Sequence, residues 1–236
     1  MIPEQHPIIA IVPAAGVGKR MQSERPKQYL EINHKTLLQH TVNKLLSHPS
    51  VECVVVAVSQ DDPYYDRQIF DAGKSVIKVI GGSERADSVL AAVDYVQQRI
   101  PNAWCLVHDA ARPCVTLTDI SKLIYQASTH PVGGILASPV KDTMKRANDA
   151  HCIDHTVERA ELWHALTPQM FKAELLQSAL SSALSEGAVM TDEASAIEWM
   201  GLAPLLVEGR SDNIKVTRPE DLSLAEFYLI QEEKNQ

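Results

Sequence analysis

Short, almost wholly apolar runs recur along the chain, separated by longer segments whose apolar positions fall three and four apart. The runs are IIAIV (8–12), ECVVVAVS (52–59), VIKVI (76–80), WCLVHD (104–109), GGILASPV (133–140) and PLLVEG (204–209). Their length suits strands, and their unbroken hydrophobicity suits strands buried on both faces. The intervening segments read as helices. Thr36 and Gln39 form a capping-box pair ahead of an apolar face of Leu37, Leu38, Val42, Leu45 and Leu46. Residues 84–100 repeat the pattern through Ala86, Val89, Leu90, Val93, Val96 and Ile100, with Ser83 placed to cap the helix. Thr217 and Glu220 suggest another capping box, with Pro219 in the first turn of a last helix that packs back on the sheet. Strand and helix in alternation predict an α/β fold: a mostly parallel sheet with helices on both faces.

Residues 141–160, KDTMKRANDAHCIDHTVERA, interrupt this alternation. They are polar, and RANDAH can turn between two extended pieces. The pattern predicts one domain over 1–236, with a hairpin arm projecting at 139–160. Two strands cannot bury themselves, so the arm is expected to meet a partner subunit.

With 236 residues the chain can bury a substantial core. Its apolar runs are too short to cross a bilayer, and no basic segment precedes the first of them, so neither a membrane span nor a cleaved signal is expected. Cys53, Cys105, Cys114 and Cys152 lack metal-ligand spacing and suit a reducing, cytoplasmic setting. A formal net charge of −8 argues against nucleic acid as a partner.

Against that acidic balance, VPAAGVGKRMQSERPKQYL gathers four cations after the first strand. It is not a P-loop, because Lys19 is followed by Arg20 rather than a hydroxyl residue, nor a dinucleotide fingerprint, because Met21 stands where the third glycine belongs. Ala14, Ala15 and Gly16 still let backbone N–H groups approach a phosphate closely, and Lys19, Arg20, Arg25 and Lys27 supply charge. Three more polar clusters follow strands or precede helices. GGSERADSV offers Gly81, Gly82 and Ser88 at a helix N-terminus. VHDAARP places Asp109 where a carboxylate can hold Mg²⁺ or a ribose hydroxyl, with Arg112 three residues on and His108 as a structural residue. SDNIKVTRPED exposes Lys215 between Ile214 and Val216. Thr167 and Thr191 read as cap or turn formers, and Asp192 and Glu193 as first-turn acids favoured by a helix dipole. Phosphate binders plus one well-placed carboxylate suit phosphoryl or nucleotidyl transfer.

In this order the clusters resemble the 2-C-methyl-D-erythritol 4-phosphate cytidylyltransferases. The matching pieces are PAAGVGKRM, RPKQYL, GGSERADSV, HDAARP, PVKDTMKR, HTVERAELWHALTPQ, TDEAS and EGRSDNIKVTRPEDL, which span nearly the whole chain. The resemblance implies a Rossmann-like domain and a Mg²⁺-dependent reaction of CTP with methylerythritol phosphate in isoprenoid precursor synthesis. Arg20, Lys27 and Lys215 match its transition-state cations. Ala14, Ala15, Gly16, Gly81, Gly82, Ser88 and Asp109 match the nucleotide site, Asp109 also being near the metal. Ala110, Arg112, Thr143, Arg159, Thr167 and Thr191 match positions around the acceptor. The resemblance also implies a homodimer, with Thr143 and Arg159 of one arm serving the neighbour's site. Ser83 departs from the Asp frequent among relatives. A cytidylyltransferase for another polyol phosphate, such as ribitol 5-phosphate, and a non-catalytic sugar-nucleotide binding module are the competing readings.

Overall fold

The computed structural model describes residues 6–16, 25–71 and 73–234. The strands are β1 (Ile8–Pro13), β2 (Glu31–Ile32), β3 (Lys35–Thr36), β4 (Val51–Val58), β5 (Ser75–Ile80), β6 (Trp104–Val107), β7 (Gly134–Pro139), β8 (Met144–Ala147), β9 (Ile153–Val157), β10 (Trp163–Lys172) and β11 (Leu205–Glu208). The helices are α1 (Leu37–Ser47), α2 (Arg85–Arg99), α3 (Leu117–Thr129), α4 (Ala173–Ser185), α5 (Glu193–Trp199) and α6 (Pro219–Lys234).

Seven strands form one sheet in the order β11-β7-β10-β6-β1-β4-β5. All six strands expected from the apolar runs are present, and the seventh is β10. It runs antiparallel to both neighbours, β6 and β7. Its sequence, WHALTPQMFK, was not expected as a strand, because Pro168 lacks the N–H that a ladder needs. The register shifts between Ala165 and Gln169, so Pro168 falls where pairing to β7 is interrupted.

The buried positions of β1 alternate between two cores. Ile8, Ala10 and Val12 face Leu38, Val42 and Leu45 of α1 and Ile120 and Leu123 of α3. Ile9 and Ile11 face Val89, Val93 and Val96 of α2, Leu176 and Leu180 of α4, and Ile197 of α5. Burial on both faces therefore explains the unbroken apolar runs.

Chain direction across the sheet reverses beside β1. From β1 the chain builds outward through β4 and β5, then returns to place β6 on the opposite side of β1. Such a switch point leaves a crevice beyond the carboxyl ends of the two central strands. The loops after β1 and β6 border it.

Three local expectations change. Thr36 and Gln39 do form the capping box of α1, but α2 is not capped by Ser83. Asp87 reaches back to accept from the Glu84 N–H and the Ser83 hydroxyl, both at 3.0 Å, since a carboxylate at the positive helix end is the stronger acceptor. At α6, Asp221 rather than Glu220 accepts from the Thr217 N–H (2.8 Å), the Thr217 hydroxyl (2.9 Å) and the Arg218 N–H (2.9 Å). Nor does α6 pack on the sheet: Ala225 and Leu229 join Ile32, Leu37, Ala111, Cys114 and Val216 in a separate cluster. The helix thus braces the loop after β6 and the segment carrying Lys215.

The arm is an antiparallel hairpin of β8 and β9 that, among the described residues, pairs with no other sheet. Met144 and Ile153 on it are exposed. No helix among the described residues is long and apolar enough to cross a membrane.

Candidate active site

Asp109 follows β6 at the mouth of the crevice, with its side chain 9% exposed. Three cations surround it. Arg85 Nε donates to Oδ1 at 2.9 Å, Lys215 Nζ to Oδ2 at 2.8 Å, and Arg112 Nε lies 3.5 Å from Oδ2. Burial alone raises a carboxyl pKa, but Arg85, Lys215 and Arg112 outweigh it and hold Asp109 well below the usual carboxylate range. The aspartate is an ionised anchor rather than a proton donor.

The segment carrying Lys215 is fixed by its backbone. The Val216 N–H donates to the Ala111 carbonyl at 2.8 Å. Lys27 Nζ donates to the carbonyl of Val216, the residue after Lys215, at 3.3 Å, which ties the early segment to the late one. Lys27 starts a single 3-10 turn over Lys27–Tyr29, and its neighbour Gln28 is buried. The Gln28 amide donates to the carbonyls of Ala14 at 2.7 Å and Gly16 at 3.0 Å, tying this turn to the loop after β1. Ala14 is further held by its N–H, which donates to Ala57 O at 2.7 Å.

Across the crevice, Gly81 donates its N–H to the Val58 carbonyl at 2.8 Å. A Cβ at Gly81 would stand 2.6 Å from Ser88 Oγ and 3.1 Å from the Ala15 Cβ, so glycine is required for this approach. The Gly82 N–H donates to Ser88 Oγ at 3.2 Å. Of the residues expected to form one nucleotide site, Ala14 and Gly16 are joined through Gln28, Ala15 adjoins Gly81, Gly82 bonds Ser88, and Asp109 reaches the start of the same helix through Arg85. Arg20, expected among the transition-state cations, lies outside the described residues, as does Lys19.

The acceptor-side candidates divide. The Arg112 Nη1 donates to Asn213 O at 2.7 Å, and Asn213 Nδ2 donates to Thr167 O at 2.7 Å. Ala110 accepts from the Thr41 hydroxyl at 3.1 Å. The Thr167 hydroxyl accepts from the Asp109 N–H at 3.1 Å and contacts His108 Nδ1 at 2.9 Å. His108 Nε2 lies 2.9 Å from the Arg112 carbonyl, which can only accept, so Nε2 carries the proton and Thr167 donates to Nδ1. Burial pushes His108 down to about 4, keeping the ring neutral. The Thr167 hydroxyl is therefore used within the protein both as donor and as acceptor.

Thr191 is exposed ahead of α5, its N–H donating to Ser195 Oγ at 3.1 Å. Thr143 and Arg159 stand on the exposed arm, where Arg159 Nη1 donates to the Lys141 carbonyl at 2.6 Å. Their own chain does not place these two in the Asp109 network.

Glu193 joins the Asp109 network through Arg85, and Asp192 stands beside it. Glu193, the first residue of α5, is 1% exposed. It accepts from Arg85 Nη1 at 2.5 Å and from Nη2 at 3.1 Å. Its role is not that of a solvated first-turn acid; Arg85 is its counter-ion. Asp192 caps α5, accepting from the Ser195 N–H at 3.0 Å and from Gln169 Nε2 at 2.8 Å. Nothing in the local sequence distinguishes Arg85, and only the approach of α5 reveals its second partner.

The metal expected at Asp109 meets a sparse donor set: among the described residues, no three His, Cys, Asp or Glu side chains cluster to hold an ion. One carboxylate suits Mg²⁺ held mainly by substrate phosphates and water, and does not suit an all-protein cage. Among the described residues, Arg112 Nε, buried 3.5 Å from Asp109 Oδ2, and the buried Asn213 Oδ1 make no hydrogen bond.

The family model of the 2-C-methyl-D-erythritol 4-phosphate cytidylyltransferases (IspD) matches residues 8–231. A protein of that name from Vibrio atlanticus (strain LGP32) is 62% identical over 224 residues, covering 95% of this chain and 96% of its own. The crystal structure of a 4-diphosphocytidyl-2C-methyl-D-erythritol synthase aligns with a TM-score of 0.79 at 39% identity, over 95% of this chain and 98% of that one. The Francisella tularensis cytidylyltransferase aligns with a TM-score of 0.81 at 33% identity, over 94% and 99%. A match of this extent makes the chain a member of the 2-C-methyl-D-erythritol 4-phosphate cytidylyltransferase family.

Proposed function

We propose that the Asp109 crevice carries out the family's reaction through the residues named here. CTP and 2-C-methyl-D-erythritol 4-phosphate give 4-diphosphocytidyl-2-C-methyl-D-erythritol and pyrophosphate, a step in isoprenoid precursor synthesis. The observation that supports this assignment most is the clustering of Arg85, Arg112 and Lys215 on Asp109, with Lys27 held on the backbone carbonyl next to Lys215.

A phosphate oxygen of the acceptor attacks the α-phosphorus of CTP in line. The new P–O bond forms as the bond from the α-phosphorus to the bridging oxygen breaks, and pyrophosphate departs with that electron pair. The phosphate is already anionic, so no general base is required. What the protein supplies is position and compensation of charge on the reacting oxygens. Lys215 has three donors and gives one to Asp109, and its side chain remains 34% exposed, so it can also face a phosphate. Lys27 approaches from the β1 side. Arg20 completes the cationic set through its place in the family motif. Ala14, Ala15, Gly16, Gly81, Gly82 and Ser88 form the nucleotide wall, whose close backbone approach favours a pyrimidine over a larger base. Ala110, Arg112, Thr167 and Thr191 hold the acceptor.

Asp109 would hold Mg²⁺, which when bound neutralises charge on the CTP phosphates. The exposed arm pairs with a second subunit and delivers Thr143 and Arg159 to that subunit's crevice. The exposed Met144 and Ile153 support this, since an isolated hairpin has no core of its own.

Incubation with CTP, methylerythritol phosphate and Mg²⁺, followed by ³¹P NMR, tests the reading. A diphosphate diester and pyrophosphate should appear together and in equal amounts. Faster turnover of ribitol 5-phosphate than of methylerythritol phosphate would overturn the substrate assignment.

A further inference from the structure

Arg85 occupies a position unlike that of the other cations. It starts α2 on the nucleotide side and spends its three side-chain nitrogens on two carboxylates from elsewhere in the chain. Nε holds Oδ1 of Asp109 at 2.9 Å, while the two terminal nitrogens grip Glu193 as a fork. Glu193 begins α5, two residues after Thr191, so the fork docks the acceptor-side segment. Gln169 adds a parallel tie, its amide donating to Asp192 Oδ2 at 2.8 Å and accepting from the Ala194 N–H at 2.9 Å.

We propose that Arg85 is a positioning residue for the transfer: a single guanidinium sets the rotamer of Asp109 and fixes the Thr191–Glu193 segment relative to it. This inference rests on the assigned reaction. The planar guanidinium joins both walls at fixed angles, which a flexible ammonium cannot do. Arg85 touches neither substrate in this scheme; it acts through Asp109 and Glu193. Reacting groups displaced by about 1 Å can lose on the order of 10²-fold in rate, so small rotations of either partner are kinetically visible.

A buried ion pair can also serve stability alone, and the test must separate the two roles. Replacing both members by apolar residues of similar size often restores packing. The doubly substituted Arg85→Met, Glu193→Leu enzyme is therefore compared with wild type for melting temperature and for kcat, KM of CTP and KM of acceptor. Wild-type turnover in the same assay checks the assigned reaction independently. Because the Arg85 Nε bond to Asp109 Oδ1 is lost as well, the melting temperature falls modestly with the enzyme still folded at the assay temperature, and positioning predicts kcat lowered by about 30-fold or more. It also predicts a larger rise in KM for the acceptor than for CTP. A folded double variant with kcat and both KM values within about threefold of wild type would overturn the inference. Arg85→Lys, which keeps the buried charge, decides should the double variant not fold: kcat at the wild-type level would refute the requirement for the fork, and a loss of about 10-fold or more would support it.

Discussion

Lys27 Nζ donates to the carbonyl of Val216, 189 positions later, at 3.3 Å. The intervening residue Lys215 grips Asp109. The early segment and the last connection before α6 thus meet, with Lys215 on the anchored carboxylate and Lys27 on the backbone beside Lys215. If both act mainly on the charge of the transition state, removing either changes turnover more than binding. Lys27→Ala and Lys215→Ala should each lower kcat by about 10²-fold or more, with far smaller change in KM for CTP. Steady-state kinetics on both variants checks this, and an unchanged kcat in both would refute the assigned roles.

Gln28 has a separable task. Its buried amide holds the Ala14 and Gly16 carbonyls, so it shapes the nucleotide loop without touching the reacting phosphorus. Gln28→Leu leaves both carbonyls without this donor, at a stability cost of about 1–3 kcal/mol. Calorimetric titration with CTP alone should show affinity reduced about tenfold. Wild-type affinity would mean that the loop keeps its shape without the clamp.

Much of this arrangement was legible in the sequence because periodicity reports local burial. The runs in β1, β4 and β6 declared strands covered on both faces, and Thr36 with Gln39 declared the start of α1. The strand β10 was not legible, since Thr167, Pro168 and Gln169 look like a loop until the register break and the hydrogen bonds of Thr167 and Gln169 account for them. Glu193 was not legible either. An acid in a first helical turn has a sufficient local explanation in the helix dipole, and nothing local announces that Arg85 from another element neutralises it. Asp109 and Lys215 were found through their place after a strand and in a motif, whereas their ion pair is a fact of the tertiary fold.

His108 sets an acid limit on the fold. Its ordinary pKa of 6.5 applies in the unfolded chain, while burial pushes it down to about 4 in the folded protein. Between these values the unfolded chain binds the proton more readily, so acid favours unfolding. The stabilising contribution is complete above pH 6.5, declines as pH falls and is gone below about 4. A difference of this size corresponds to a few kcal/mol, on the order of 3. His48, also buried and depressed, acts in the same direction. NMR of the imidazole resonances should find His108 neutral at pH 5.5, with Nε2 protonated. A ring titrating near pH 6.5 would contradict the buried, doubly hydrogen-bonded placement.

The proposed arm exchange has a complementation test. Arg159→Ala removes a group delivered to the neighbour, and Lys27→Ala removes one belonging to the chain's own crevice. In a mixed dimer one crevice receives both defects, while the other has its own Lys27 and an intact Arg159 from the partner. If Arg159 acts within its own chain, every crevice in the mixed dimer carries one defect and none is whole. Equal mixing with full exchange makes half of the dimers mixed, so activity should return to about a quarter of wild type under two-fold symmetry. Subunit exchange is verified by two affinity tags, and dimerisation by sedimentation. Activity that stays at the level of the parent variants, with mixed dimers isolated through both tags, would rule out delivery of Arg159 across the interface.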